Sequence, residues 1–276
     1  MKRIIALIWL LISVPALAGP QVTVLLPVTG SMSPQAISDA FRGSASVRAA
    51  LPGLPIGLIT TSLYTSDVAL VVLDATHGPL PANREHVLAT RQARVPFVYV
   101  LITNVDALYG LVGEKEGREF LALEEQEIRA VLEGYGIGGA NTPVYHDSAQ
   151  GQRSTASMAG DLGQLASDLS ALPSGKRQDE PLTPARVAEG EVYLLTDEEA
   201  NGQAATINGA RDLELWIGGQ SATATVHVDG TARPGDVVSI RYRTDAPLPA
   251  APGARLMLIN DDRVVGIGVV FAVTAR

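Results

Sequence analysis

Two uninterrupted apolar runs, residues 68–73 (VALVVL) and 97–102 (FVYVLI), constrain the fold of this chain more than any other feature. A strand with no polar residue at alternate positions has to be covered on both faces, and a parallel sheet with helices on each side is the architecture that covers it. The segment joining the runs fits that reading. It begins with the turn Asp74-Ala75-Thr76-His77-Gly78-Pro79, continues through residues 83–94 with Val87, Leu88 and Arg91 at helical spacing, and closes at Pro96. A strand, a helix and a second parallel strand form a right-handed crossover unit.

The rest of the first half extends the alternation. Residues 22–26 predict a buried strand that enters a loop rich in Pro, Thr, Gly and Ser. A helix is expected over 35–51, with Ile37, Ala40, Phe41 and Ala45 on its apolar side and Pro52 as its stop. A short helix is expected within 52–66, from Leu58, Ile59 and Leu63. Residues 114–133 predict a strong helix whose stripe is Phe120, Leu121, Leu123, Ile128, Val131 and Leu132. A strand at 142–145 and a helix at 158–172 complete this α/β domain, taken as residues 20–173. Residues 174–188 read as a linker. Beyond it lie short apolar runs at 191–195, 213–217, 222–228, 237–242, 255–260 and 264–273. Turn pairs such as Asn208-Gly209, Asp229-Gly230 and Pro234-Gly235 separate them, so residues 189–276 are expected to form an all-β barrel.

Several functional classes are bounded by composition. There is no cysteine, which excludes disulfides, thiolate chemistry and cysteine-ligated zinc. With 21 basic and 29 acidic residues and no basic patch, a nucleic-acid partner is not expected. At the start, Lys2 and Arg3 precede an apolar run over 4–12, then Pro15 and Ala16-Leu17-Ala18, the pattern of a secretory signal cleaved after Ala18. The run is far shorter than the roughly 20 residues that span a bilayer. The expectation is a mature chain that is periplasmic or secreted, with no membrane contact after cleavage.

Residues 67–106 (DVALVVLDATHGPLPANREHVLATRQARVPFVYVLITNVD) resemble the middle of the GTP-binding domain of the elongation factor Tu family, including Gly78-Pro79-Leu80-Pro81 and Arg84-Glu85-His86. Residues 191–273 resemble that family's third, β-barrel domain, through Glu191-Val192-Tyr193-Leu194-Leu195, Pro234-Gly235-Asp236 and the ending that begins Arg263-Val264-Val265-Gly266. The resemblance implies a P-loop-GTPase-like α/β domain joined to an elongation-factor-type barrel, with the family's second domain reduced to a linker.

The family's chemistry resides in short boxes, and here they are degenerate. A phosphate loop requires G-x-x-x-x-G-K-[ST], because backbone N–H groups face the phosphates, Lys neutralises them and the hydroxyl ligates magnesium. The matching stretch reads Pro27-Val28-Thr29-Gly30-Ser31-Met32-Ser33-Pro34 and has no Lys. The Asp-Cys-Pro-Gly-His segment is not found ahead of residue 59. The base-reading Asn-Lys-x-Asp becomes Thr103-Asn104-Val105-Asp106, and the last box becomes Ser148-Ala149-Gln150. By resemblance, Asp106, Thr103, Asn104, Ser148 and Ala149 form a vestigial guanine pocket for GTP or GDP. On their own chemistry the same residues serve as turn and cap formers, which implies no cofactor. The resemblance thus implies a pseudo-GTPase that binds an unknown protein partner, with residual guanine-nucleotide binding as the alternative. No catalytic or metal-ligating set stands out: His77, His86, His146 and His227 lack ligand spacing and read as surface or cap residues. Asp74 with His77, and His146 with Asp147, are the neighbouring acid and imidazole pairs. Glu124-Glu125-Gln126-Glu127 reads as a solvated helix face.

Overall fold

The computed structural model describes residues 19–26, 39–147, 162–173 and 181–274. The expected signal (1–18), the loop at 27–34, Ser148, Ala149 and residues 174–180 of the linker lie outside the described residues.

The first domain is a five-stranded, all-parallel sheet in the order β2-β1-β3-β4-β5. Its strands are β1 (Gln21–Leu25), β2 (Ser46–Ala50), β3 (Val68–Asp74), β4 (Phe97–Thr103) and β5 (Val144–His146). The described helices include α1 (Ile56–Tyr64), α2 (Pro81–Gln92), α3 (Val105–Val112), α4 (Glu114–Gly134) and α5 (Leu162–Ala171). The continuous apolar run of β3 has a direct cause. Val68, Leu70 and Val72 point into the core shared with Phe41 and α5, while Ala69, Val71 and Leu73 point into the opposite core with α1, α2 and α4. Both faces of the strand are dry from Val68 to Leu73, so the first polar side chain comes at its end, Asp74.

Where the sequence predicts one helix over 35–51, the structure places β2 at Ser46–Ala50, parallel to β1 with Val22 opposite Val47. Gly43, at φ +88°, turns the chain ahead of it, and pairing with β1 overrides the helical preference of its alanines. The sequence also gives no sign of α3. It starts after Asn104 in the left-handed conformation (φ +63°), which turns the chain sharply off β4. On α4, Leu121, Ile128 and Leu132 are buried as expected, whereas Phe120 and Leu123 are exposed to solvent.

The second domain is a closed six-stranded barrel in the order β10-β11-β6-β9-β8-β7. Its strands are β6 (Thr183–Leu194), β7 (Ile207–Ile217), β8 (Gln220–Ala232), β9 (Val237–Ala250), β10 (Arg255–Asn260) and β11 (Arg263–Thr274). Closure leaves no unpaired edge. β6 begins at Thr183, inside the stretch read as linker, because its first residues pair with Leu248 to Ala250 of β9.

A continuous apolar seam joins the two domains. The core under α1 and α2 includes Trp216, Met257, Ile259 and Val264 of the barrel. Trp216 is buried, meets the Tyr64 ring edge-on at 5.8 Å and donates its indole N–H to Thr61 Oγ1 at 3.1 Å. Polar pins flank the apolar contact. Gln92 Nε2 donates to Leu256 O at 2.7 Å, and Arg263 Nη1 to Glu85 Oε2 at 2.6 Å. A buried amide and a buried carboxylate that each find a partner across the seam fix how the domains dock.

Candidate functional site

Ligands of open parallel sheets bind beyond the carboxyl ends of the strands, so the loops after β3, β4 and β5 form the place to examine. Asp74 ends β3 and is buried. One oxygen, Oδ1, accepts from Thr76 N at 2.9 Å and Thr76 Oγ1 at 2.7 Å, and the other accepts from Asn104 Nδ2 at 2.9 Å. His77 Nδ1 stands 3.5 Å from Oδ2. Burial raises the Asp74 pKa, but the Thr76 and Asn104 hydrogen bonds outweigh it, with a smaller contribution from the His77 charge, and the carboxyl is held below its ordinary value.

Thr103, Asn104 and Asp106 do come together in one loop. The hydroxyl of buried Thr103 donates to Leu73 O at 2.8 Å, which stitches β4 to β3. Asn104 spends its amide on Asp74. Asp106 lies in the first turn of α3 and is exposed. Beneath this loop, the Asp147 carboxylate accepts from the backbone N–H groups of Asn104 and Val105 and so caps α3, where an anion is favoured. Burial outweighs those bonds, and the Asp147 carboxyl is pushed up to about 6.

The acidic stretch of α4 is not a solvated face throughout. Glu125 is buried, with Oε1 3.0 Å from His146 Nε2 and Oε2 3.8 Å from Arg129. The near neighbours His146 and Asp147 therefore do not form a pair of their own. Glu124 lies under the 74–79 turn and has one oxygen, Oε2, with no hydrogen-bond partner among the described residues. Desolvation, then the charges of Asp74 and Glu127, push its carboxyl up to about 7. His86 departs from the expected surface role as well. It is buried in α2, and burial lowers its pKa to about 4, so the ring is neutral at pH 7. Sequence reasoning missed Asp74, Glu124 and Asp147 as a group, because they come from three separate elements. The polar residue that ends the apolar run at Asp74 was the signal available.

Glu124 offers a direct check of this electrostatic picture. Its folded pKa, about 7, lies above the ordinary 4.5, so the neutral form's stability is complete below pH 4.5 and is lost as pH rises through 7. Glu124→Gln keeps the neutral form at every pH. The variant is expected to be more stable than the parent by about 1 kcal/mol at pH 8, after allowance for solvent screening, and to show no gain at pH 4. Urea denaturation at the two pH values measures the difference.

Four carboxylates, Asp74, Asp106, Glu124 and Asp147, thus feel one another's charge around the loop that follows β4, at the carboxyl end of the parallel sheet. Residues 56–171 match the family model of the elongation factor Tu GTP binding domain. The match begins at the start of α1, so β1, the loop at 27–34 and β2 lie ahead of it. Within it lie residues 103–106, which join the end of β4 to the first turn of α3. The coarse likeness is therefore to an elongation factor Tu GTP-binding domain followed by a β-barrel. Among the described residues no group of three or more His, Asp or Glu side chains is arranged to hold a metal ion.

Proposed function

We propose that this chain is an exported, elongation factor Tu-like pseudo-GTPase: a periplasmic or secreted module that binds a protein partner and does not hydrolyse GTP. The observation that carries the reading is the electrostatic character of the strand ends. β1 and β3 run parallel with Leu25 opposite Val71, so the buried Asp74 carboxylate lies at the same end of the sheet as the carboxyl end of β1, where a phosphate loop follows in the family. Asp147 and Glu124 follow on the same side. A triphosphate is held by N–H groups, a Lys and a magnesium ion, and buried carboxylates at that position repel it.

The sequence supplies two further supports. The stretch 27–34 has no Lys to neutralise a phosphate. Ahead of residue 59 there is also no Asp-Cys-Pro-Gly-His segment, which would supply a carboxylate to hold magnesium and an imidazole beside the attacking water. For a binding role, the support is exposed apolar surface on the first domain: Leu111, Phe120 and Leu123 of α3 and α4 are each about half exposed or more.

The competing reading, residual guanine-nucleotide binding, rests on Asp106 in the first turn of α3, the position from which the family's Asp reads guanine. A thermal-shift titration separates the two. A ligand at 100 times its Kd raises stability by about 2.7 kcal/mol, so about 1 mM GTP or GDP with magnesium reveals any site of micromolar affinity. No rise in Tm is expected. A rise that Asp106→Ala abolishes would establish the guanine pocket and overturn this reading.

A further inference from the structure

At the opposite end of the sheet, where β4 begins, the domain seam opens into a cavity of about 740 Å³. That volume is within the range of small-molecule sites. Its walls come from three directions: Arg91 and Arg94 at the end of α2, Phe97 and Ile137 from the first domain, and Arg255 from the start of β10. We propose that this cavity is a binding site for a small anion with an apolar body, such as an aromatic phosphate ester, held by Arg91 and Arg255.

The arrangement of charge supports this. Arg255 is half-buried, its Nη1 donates to Arg91 O, and Arg94 Nη2 donates to Gly253 O at 2.7 Å, so two guanidinium groups are held in place by backbone carbonyls across the seam. Among the described residues, the Arg91 guanidinium makes one hydrogen bond, a long one of 3.4 Å to Gln92 Oε1. No described carboxylate forms an ion pair with Arg91 or Arg255, and burial, followed by the like charges of Arg91 and Arg94, lowers the Arg255 pKa. The Asp168 carboxylate, whose charge reaches the cavity residue Tyr99, is taken up by the Tyr145 hydroxyl at 2.7 Å and by Gln164 Nε2 at 2.7 Å. The guanidinium groups of Arg91 and Arg255, which have no ion pair among the described residues, form beside apolar walls a receptor for a charged head on an apolar body. The planar fork of arginine matches phosphate or carboxylate oxygens. This site lies at the far end of the sheet from the loop at 103–106 and does not depend on the nucleotide reading.

Calorimetric titration of the whole chain with phenyl phosphate, inorganic phosphate and benzyl alcohol tests it. Phenyl phosphate is expected to bind saturably, more tightly than either fragment, and Arg91→Met should weaken it about tenfold or more, as loss of a charge-assisted hydrogen bond does. Arg91→Met retains the aliphatic stem, and its unliganded Tm should match the parent's. Arg255→Met provides a second variant with the same expected loss. Absence of saturable binding, equal binding of inorganic phosphate or benzyl alcohol, or full affinity in Arg91→Met would each overturn the proposal. A nucleotide-induced rise in Tm that Arg91→Met removes and Asp106→Ala does not would belong to this cavity, which separates its outcome from that of the guanine pocket.

Discussion

Trp216→Ala is expected to lower stability by about 3–5 kcal/mol, the range for a fully buried aromatic side chain cut back to a methyl. Trp216 is 1% exposed, and it contributes more than area to the seam. Its indole N–H donates to Thr61 Oγ1, its ring meets that of Tyr64 in a T-shaped contact, and it belongs to the same apolar cluster as Met257 and Ile259. Deletion leaves a cavity lined by both domains, and neither can close it without moving against the other. The two domains, which share this core, should unfold in one transition in the parent chain and in two in the variant. Urea denaturation followed by circular dichroism measures both effects. A cost below about 1 kcal/mol would mean that the seam packs far more loosely than the buried area implies.

Gly268→Ala is expected to be of comparable severity for a different reason. A Cβ at Gly268 would lie 2.0 Å from Glu191 O and 2.8 Å from Val192 Cγ2 on β6. The first of these is backbone, which cannot swing aside as a side chain does. β11 is paired on both sides here, to Leu256 of β10 and Val192 of β6, so relief requires the barrel wall itself to shift. Overpacking of this kind costs about 1–3 kcal/mol where side chains can adjust, and a backbone obstacle places Gly268 at or above about 3 kcal/mol. Gly110→Ala is the matched control. That glycine is in the exposed part of α3 with nothing within contact distance of an added Cβ, so the variant should gain about 0.5–1 kcal/mol from helix propensity. Thermal melts of the two variants should move in opposite directions.

These two sites also show what is legible in a single sequence. The runs at 68–73 and 97–102 identify buried parallel strands because alternate residues of each face opposite cores, a local constraint written directly into the composition of the strand. The barrel was readable for a similar reason, since regularly spaced turn pairs separate runs too short for helices. By contrast, Gly268 looks like any other glycine until β6 is set beside it.

What escaped the sequence depends on residues far apart along the chain. β2 looked helical because its alanines suit a helix, and only the open edge of β1 makes a strand of Ser46–Ala50. His86, expected at the surface, is buried in α2 beside the docked barrel, and the neighbouring Glu85 reaches Arg263, 178 positions away. The acidic stretch of α4 was ambiguous for the same reason: Glu125 faces His146 and Glu124 faces the Asp74 turn only once the helix is laid against the sheet. Sequence alone determined the α/β-then-barrel architecture, because periodicity and turn chemistry act over a few residues. Tertiary structure alone decided the seam and the charge at each end of the sheet, since burial, pairing and electrostatic repulsion depend on which distant side chains share the same small volume.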